Sequence, residues 1–171
     1  MKKLYIIVLV IFSQCIFSQT DTRIYEIIES VSTKRIESDI RKLASFGTRN
    51  TFSDTISNKR GIGAARRWIK SEFDKLSKDC SNCLEVFYQK DFVTTNDGER
   101  VPKDTWIVNV VAVQKGTKNS NRYVIMTGDI DSRNSDPIDF TKDAPGANDN
   151  ATGMAGTIEA ARVLSKYKFD Y

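Results

Sequence analysis

An acidic loop between a predicted strand and a predicted helix is the feature that most limits how this chain can fold. Residues 127–153 follow the apolar segment 122–127, contain six aspartates and lead into an amphipathic segment. In open α/β sheets, functional groups collect just beyond the carboxyl ends of the strands. The sequence therefore predicts an α/β domain whose chemistry lies in this loop.

Apolar spacing divides the rest of the chain into helices followed by strands. Helical periodicity predicts helices at residues 24–31, 35–44, 62–77 and 150–167. Runs rich in β-branched residues predict strands at residues 84–89, 91–95, 105–114 and 122–127. This order is typical of an α/β domain. Two strongly apolar strands under one helix leave a thin core with unpaired edges, so we expect the first part of a longer domain.

The first 18 residues have the layout of a secretory signal peptide. Lys2 and Lys3 precede an apolar run at residues 4–12, and a polar exit follows. The run is shorter than the ~20 residues that span a bilayer. We expect cleavage after Ser18, a mature chain of residues 19–171, a secreted or periplasmic location and no stable membrane anchor. A retained anchor is the alternative.

Charge and cysteine content exclude some function classes. The net charge of +4 falls to +2 once Lys2 and Lys3 are removed, and no basic stripe typical of nucleic-acid binding is present. In an exported protein, the Cys80 and Cys83 pair favours a short-loop disulfide. A redox pair or half of a zinc knuckle are the alternatives. A knuckle needs two more ligands, whereas the mature chain has no further cysteine and the sequence has no histidine.

The acidic loop has the residue types of a metal site. In an extended chain Asp129 and Asp131 point to the same side, and such a pair persists beside a cation such as Arg133 or a metal. The Pro-Gly turn at residues 145–146 brings Asp149 to the mouth of the next helix, where the helix dipole favours a carboxylate. One alternative is that Asp149 caps the helix while the other aspartates are solvated. A calcium loop is another, but Arg133 and Asn134 occupy positions where such loops need a ligand and a glycine.

Two motifs in this region resemble a known family. The sequence GDIDS at residues 128–132, followed by APGANDNATG at residues 144–153, is similar to the metal-binding core of the di-zinc aminopeptidases. That family includes bacterial leucyl aminopeptidase and, more distantly, glutamate carboxypeptidase. Weaker similarity comes from FGTR at residues 46–49 and GAARRWI at residues 63–69. The resemblance implies a three-layer α/β fold with a mixed twisted sheet flanked by helices, incomplete here at the C-terminus, and two zinc ions about 3.5–4 Å apart.

The resemblance also implies roles for three aspartates. Asp149 is the carboxylate that bridges both ions, and Asp129 stands where the family has a histidine as its first metal ligand. Asp131 matches the group that orients that histidine ring. A carboxylate binds zinc at about 2.0–2.2 Å, so Asp129 remains a metal-ligand candidate. Asp129 adds a negative charge and leaves Asp131 without an imidazole N–H to accept, so we expect Arg133, a lysine or a proton to compensate the two carboxylates. The substitution of histidine by Asp129 leaves three alternatives: a working site with altered metal preference, a site with one weakened metal position, or a pseudoenzyme.

The same resemblance places the general base and the remaining ligands beyond Tyr171. No catalytic residue is therefore expected in this chain. A catalytic zinc needs about three protein ligands, so the chain alone is expected to be inactive. The implied function is a secreted zinc aminopeptidase-like metallopeptidase that hydrolyses N-terminal bonds of peptide substrates. The alternative is a non-catalytic secreted module that binds metal or peptide, that is, a pseudopeptidase.

Overall fold

The structure, a computed structural model, describes residues 21–118 and 121–171. The predicted signal peptide at residues 1–18 lies outside the described residues. The chain divides after residue 30 into two compact units. The helices and strands are α1 (Thr22–Glu29), α2 (Thr33–Ala44), α3 (Gly61–Asp79), β1 (Leu84–Val93), β2 (Thr105–Gln114) and α4 (Thr152–Leu164), with a short π-helical turn at Ala147–Ala151.

Helix α1, in the first unit, is a short exposed helix. It begins after Asp21, whose side chain accepts a hydrogen bond from the Arg23 backbone N–H at 3.0 Å. None of its residues is buried. The helix predicted at residues 24–31 is therefore present, but it begins and ends two residues earlier.

Helices α2 and α3 form as their sequence patterns predict. Ser32 caps α2, because its Oγ accepts a hydrogen bond from the Arg35 backbone N–H at 3.3 Å. The predicted apolar face of α3 is buried at Ile62, Ala65, Ile69 and Phe73. The predicted helices at residues 35–44 and 62–77 are confirmed, each with slightly longer bounds.

The core of the second unit lies where α2, α3 and α4 meet the strands. Helix α3 contacts both strands, and α2 and α4 contact each other. The central cluster of buried residues consists of Leu43, Ile69, Phe73, Ala151, Met154 and Ile158. Because Ala151 and Met154 stand next to the acidic loop in sequence, the packing of this core fixes one end of that loop.

The two strands form an antiparallel hairpin. Leu84 lies opposite Gln114, and Val93 lies opposite Thr105. The strand predicted at residues 105–114 is confirmed with its bounds. The two strands predicted at residues 84–89 and 91–95 are one continuous strand, because the residues between them keep the ladder with β2.

The prediction of a strand at residues 122–127 is wrong. The segment has no assigned strand, and its side chains from Tyr123 to Met126 are exposed. A β-strand needs a neighbour to pair its backbone groups, and none of the described strands runs beside this segment. The mixed α/β class is confirmed, but the described residues contain a two-stranded sheet rather than a full three-layer sheet.

The predicted helix at residues 150–167 is shorter than expected. Helix α4 begins at Thr152 and ends at Leu164. The π-helical turn precedes it, and the backbone of Asp149 is non-helical, with φ −115° and ψ 100°. In the described portion, no helix has the length and apolar character needed to cross a membrane.

Candidate metal centre

Two short segments hold the candidate site residues. We call residues 128–133 the first acidic loop and residues 145–151 the second acidic loop. The first contains Asp129 and Asp131, and the second contains Asp149; all three side chains are exposed.

The first acidic loop passes directly against the start of α4. A Cβ atom added to Gly128 would lie 2.7 Å from the backbone of Gly153 and of Met154. A side chain there would separate the loop from the helix, so glycine is required for this approach. The first acidic loop therefore lies beside the helix that follows the second.

The second acidic loop begins with a left-handed residue. Gly146 has φ +50° and ψ 47°, a conformation that favours glycine. The Ala151 backbone N–H donates to the Gly146 carbonyl at 3.1 Å and closes the loop. Asp149 lies inside this closed turn, and its peptide bond to Asn150 is cis.

Asn150, rather than Asp149, makes a side-chain hydrogen bond at the start of α4. Its Oδ1 accepts a hydrogen bond from the Gly153 backbone N–H at 2.8 Å. No hydrogen bond to the Asp149 carboxylate is seen among the described residues. Asp149 therefore does not cap this helix through its side chain.

Arg49 lies between the two loops and contacts both. It is 1% exposed. Its guanidinium donates to the Ile130 carbonyl at 2.9 Å, in the first acidic loop. It also donates to the Pro145 carbonyl at 2.6 Å and the Gly146 carbonyl at 3.0 Å, in the second. One side chain therefore joins the two loops.

Ser132 makes a second connection. Its Oγ accepts from the Arg49 backbone N–H at 3.0 Å and donates to the Ala144 carbonyl at 2.5 Å. Its backbone N–H donates to the Arg49 carbonyl at 3.3 Å. Ser132 is 4% exposed, so these bonds are shielded from water. Together Arg49 and Ser132 hold the first acidic loop to the chain that enters the second.

Asp131 faces positive charge from two buried arginines. Burial lowers the pKa of Arg49 and of Arg66, and the negative charge of Asp131 opposes that effect in both. The Thr51 hydroxyl also donates to Asp131 Oδ2 at 3.4 Å. The charge compensation that the sequence assigned to Arg133, a lysine or a proton thus has two further contributors, Arg49 and Arg66.

The sequence reasoning missed both arginines as parts of the site. Arg49 stands in a polar segment after α2, and Arg66 stands on the first turns of α3. An arginine in such a position is usually solvated. Both arginines lie in the segments that resemble the family, Arg49 in residues 46–49 and Arg66 in residues 63–69. That similarity could have indicated them, but a motif alone does not assign a role to a residue.

The remaining aspartates of residues 127–153 are engaged in local contacts. Asp139 accepts hydrogen bonds from the backbone and side chain of Thr141 and from Lys142, and these bonds hold its pKa well below the ordinary value. Asp143 pairs with Arg60 at 2.6 Å. Asp136 accepts a hydrogen bond from the Ile138 N–H. Their roles are those of loop structure.

The carboxylates fit zinc as part of a ligand set. Carboxylate oxygen is a donor that zinc accepts, and Asp129 and Asp149 lie on loops that contact the same arginine. A zinc site needs three or four protein ligands. Within residues 21–118 and 121–171 no cluster of three or more His, Cys, Asp or Glu side chains is placed to hold a metal ion. Asp129 and Asp149 therefore remain candidate ligands, and the described residues alone do not complete the ligand set of a zinc site.

Cys80 and Cys83 lie in the turn between α3 and β1. They are joined by a disulfide. A groove of about 490 Å³ opens beside it, at the C-terminal ends of α3 and α4. None of its lining residues belongs to residues 127–153. The groove and the acidic loops are thus separate features.

Comparison with known proteins points to one family. Residues 109–171, which include both acidic loops, match the model of Peptidase family M28. No solved structure matches the chain significantly.

Curated relatives carry similar sequence over most of the chain. A probable zinc metalloprotease of Pyrenophora teres f. teres is 43% identical over 148 residues, which cover 86% of this chain and 32% of the relative. One of Pyrenophora tritici-repentis is 40% identical over 86% of this chain and 34% of the relative. A probable zinc metalloprotease of Pyricularia oryzae is 36% identical over 145 residues, which cover 85% of this chain and 28% of the relative. The chain spans about a third of the length of these relatives.

Proposed function

Because residues 109–171 of this chain belong to peptidase family M28, we propose that the chain is the N-terminal part of a zinc-dependent, aminopeptidase-like metallopeptidase acting on peptide substrates. One observation carries the proposal: two carboxylate-bearing loops, both inside the matched region, are joined by buried hydrogen bonds. The relatives named as zinc metalloproteases are about three times as long as this chain, which supports a longer protein.

The site residues take the following roles in this proposal. Asp149 would help to hold both zinc ions, Asp129 would hold one of them, and Asp131 would stand behind Asp129 as a supporting carboxylate. Zinc, when bound, lowers the pKa of a water molecule and polarises a carbonyl group. Arg49 and Arg66 reduce the repulsion between the carboxylates. The general base and the other ligands come from residues after Tyr171.

The fold of the whole domain follows from the same proposal. Later strands complete a mixed sheet, and helices cover it on both faces to give three layers. The apolar side chains from Tyr123 to Met126 support this, because they are exposed and no described element covers them.

We further propose that the protein acts outside the cytoplasm. Residues 1–18 act as a signal peptide that is removed after Ser18, and residues 19–171 begin the mature catalytic domain. The disulfide between Cys80 and Cys83 supports an oxidising compartment, because disulfides persist there and are rare in the cytosol.

The test is the zinc content of the full-length gene product, measured by elemental analysis after dialysis, with and without Asp149→Ala. We expect about two zinc ions per wild-type molecule and a loss of most of the zinc in the variant, because the bridging carboxylate serves both ions. Release of an N-terminal residue from peptides should fall in parallel. The 171-residue chain alone is expected to show no such release.

Asp136→Ala is the matched control, since Asp136 is an exposed carboxylate in the same acidic region. It should leave zinc content and activity unchanged. Equal zinc in the wild type and Asp149→Ala would remove Asp149 from its bridging role. Zinc binding with no peptidase activity in the full-length wild type would favour the non-catalytic module.

A further inference from the structure

The connection between the two acidic loops depends on one buried side chain. Arg49 donates four hydrogen bonds to backbone carbonyls, those of Leu43, Ile130, Pro145 and Gly146. The distances run from 2.6 to 3.0 Å. The acceptors belong to the end of α2 and to both acidic loops, whose acceptors at Ile130 and Gly146 lie 81 and 97 residues beyond Arg49 in the sequence. Arg49 therefore fixes three segments of backbone relative to one another.

The chemistry of this position requires arginine. A guanidinium presents five N–H donors in one rigid plane, whereas a lysine ammonium presents three donors from a single point. Only the planar group can reach carbonyls on both loops at the same time. Burying a cation is costly, and the hydrogen bonds to four carbonyls offset that cost. A buried charge kept in this way has a specific role in the arrangement of the loops.

The bonds of Arg49 end on the residues next to the candidate ligands. Ile130 stands between Asp129 and Asp131, and Gly146 begins the turn that contains Asp149. Movement of either carbonyl would carry the adjacent carboxylate with it. Ser132 strengthens the same connection through the Arg49 backbone and Ala144.

We infer that Arg49 is a positioning residue for the metal centre, which holds the carboxylates of Asp129 and Asp149 at a fixed separation without binding the metal itself. This rests on the proposed function, because it assumes that these two carboxylates are ligands. The role differs from that of an ordinary core residue, since it acts on the geometry of two loops and not on the packing of the helices.

The experiment compares zinc affinity in the full-length protein, by competition with a chromophoric chelator, for wild type, Arg49→Lys and Ser132→Ala. Removing a group that orients metal ligands lowers metal affinity about 10- to 100-fold, and we expect that loss for Arg49→Lys. Ser132→Ala keeps the guanidinium and should give a smaller loss, of about threefold to tenfold.

Arg67→Lys is the matched control. The Arg67 guanidinium also bonds to loop carbonyls, those of Thr55, Ile56 and Ser57, but these belong to a loop without candidate ligands. Its replacement should leave zinc affinity unchanged. Equal losses in Arg67→Lys and Arg49→Lys would mean that the effect is general loosening of the structure, and the inference would be wrong.

Hydrogen exchange of the metal-free protein supplies a second readout. Three backbone amides in or next to the acidic loops, those of Ser132, Ala144 and Ala151, donate hydrogen bonds to backbone carbonyls. These amides should exchange faster in Arg49→Lys than in the wild type. The amides of α3 should exchange at wild-type rates. Unchanged exchange at the loops would contradict the inference.

The outcomes separate this inference from the proposed function. If wild type and Asp149→Ala bind zinc equally, the proposed metal site fails, and loop exchange alone still tests the connection. If Asp149→Ala loses zinc while Arg49→Lys keeps wild-type affinity, the proposed function stands and the role of Arg49 is refuted. If Arg49→Lys does not fold, Ser132→Ala decides, and wild-type affinity in that variant refutes the inference.

Discussion

At the scale of single residues, Gly146 shows how closely the second acidic loop is packed. Its φ of +50° is unfavourable for any residue with a side chain. An added Cβ would lie 2.5 Å from both the Asp149 carbonyl oxygen and the Ser132 Cβ. Neither neighbour can move without disturbing the contacts between the two acidic loops.

Gly146→Ala is therefore expected to lower the free energy of unfolding by about 2 kcal/mol or more, the sum of a strained backbone and a steric clash. Gly156→Ala is the control, because a Cβ there meets nothing within 4 Å. In the interior of α4 that change should raise stability by about 1 kcal/mol. Urea unfolding of both variants measures the difference, and equal effects would contradict this account of Gly146.

Some residue roles were predictable from the sequence and others were not. The acidic residues and the turn at Gly146 were recognisable because their types and spacing are local. The contribution of Arg49 was not, since it depends on carbonyl groups 81 and 97 residues further along the chain. Nothing in the sequence near residue 49 shows which backbone groups will meet it.

At the scale of helices, a buried carboxylate joins α2 to α4. Glu159 in α4 is 2% exposed and accepts hydrogen bonds from the Ser32 backbone N–H at 2.8 Å and from Arg35 at 2.6 and 3.0 Å. Arg162 pairs with Glu159 at 3.1 Å and with Asp39 at 2.8 Å. The start of α2 is thereby attached to the middle of α4.

Glu159→Gln is expected to destabilise the protein by about 2 kcal/mol, because the buried carboxylate loses its charge-assisted hydrogen bonds from Arg35 and Arg162, although Arg162 keeps its pairing with Asp39. Glu37→Gln is the control. Glu37 pairs with Arg41 on the exposed face of α2, and the loss there should stay below about 0.5 kcal/mol. Thermal or urea unfolding at neutral pH measures both, and similar values for the two variants would count against the role of Glu159.

The same carboxylate makes stability depend on pH. Burial raises the pKa of Glu159, but hydrogen bonds from Arg35, the Ser32 backbone and Arg162 outweigh it and leave the pKa below its ordinary value of 4.5. A group with a lowered folded pKa stabilises the fold fully above its unfolded pKa and loses that effect as the pH falls through the folded value.

The difference in free energy of unfolding between wild type and Glu159→Gln should therefore be largest above the ordinary pKa of 4.5 and shrink as the pH falls below it. Urea titrations at several pH values measure it. A difference that does not change over this range would show that Glu159 does not titrate in the manner described.

The helices were also the elements that the sequence predicted best. Their patterns are local, with a cap at Ser32 and apolar residues at helical spacing in α3. The hairpin strand β2 was equally clear. The segment 122–127 was wrongly predicted as a strand because strand formation requires a neighbour, and apolar composition alone does not supply one.

At the scale of the whole molecule, that segment forms an exposed apolar surface. Tyr123, Val124, Ile125 and Met126 are between 57% and 83% exposed. Contiguous apolar surface on a soluble protein commonly leads to association. We expect the purified 171-residue chain to self-associate through residues 123–126.

Ile125→Lys should weaken that association about tenfold, a change equivalent to about 1.4 kcal/mol. Ile56→Lys is the control, because Ile56 is 87% exposed but stands alone among polar residues of its loop. Sedimentation velocity over a range of concentrations distinguishes them. An equal effect of both substitutions would show that added charge, and not this surface, controls association.

The long-range bonds of Arg49 also bear on the order of folding. They close loops of 81 and 97 residues, and contacts of such separation form late because the loss of chain entropy precedes any stabilisation from them. Helices α2 and α3 are local and can form early. We therefore expect the two acidic loops to reach their final arrangement late in folding, so that a metal ion added earlier would meet carboxylates that are not yet held beside each other.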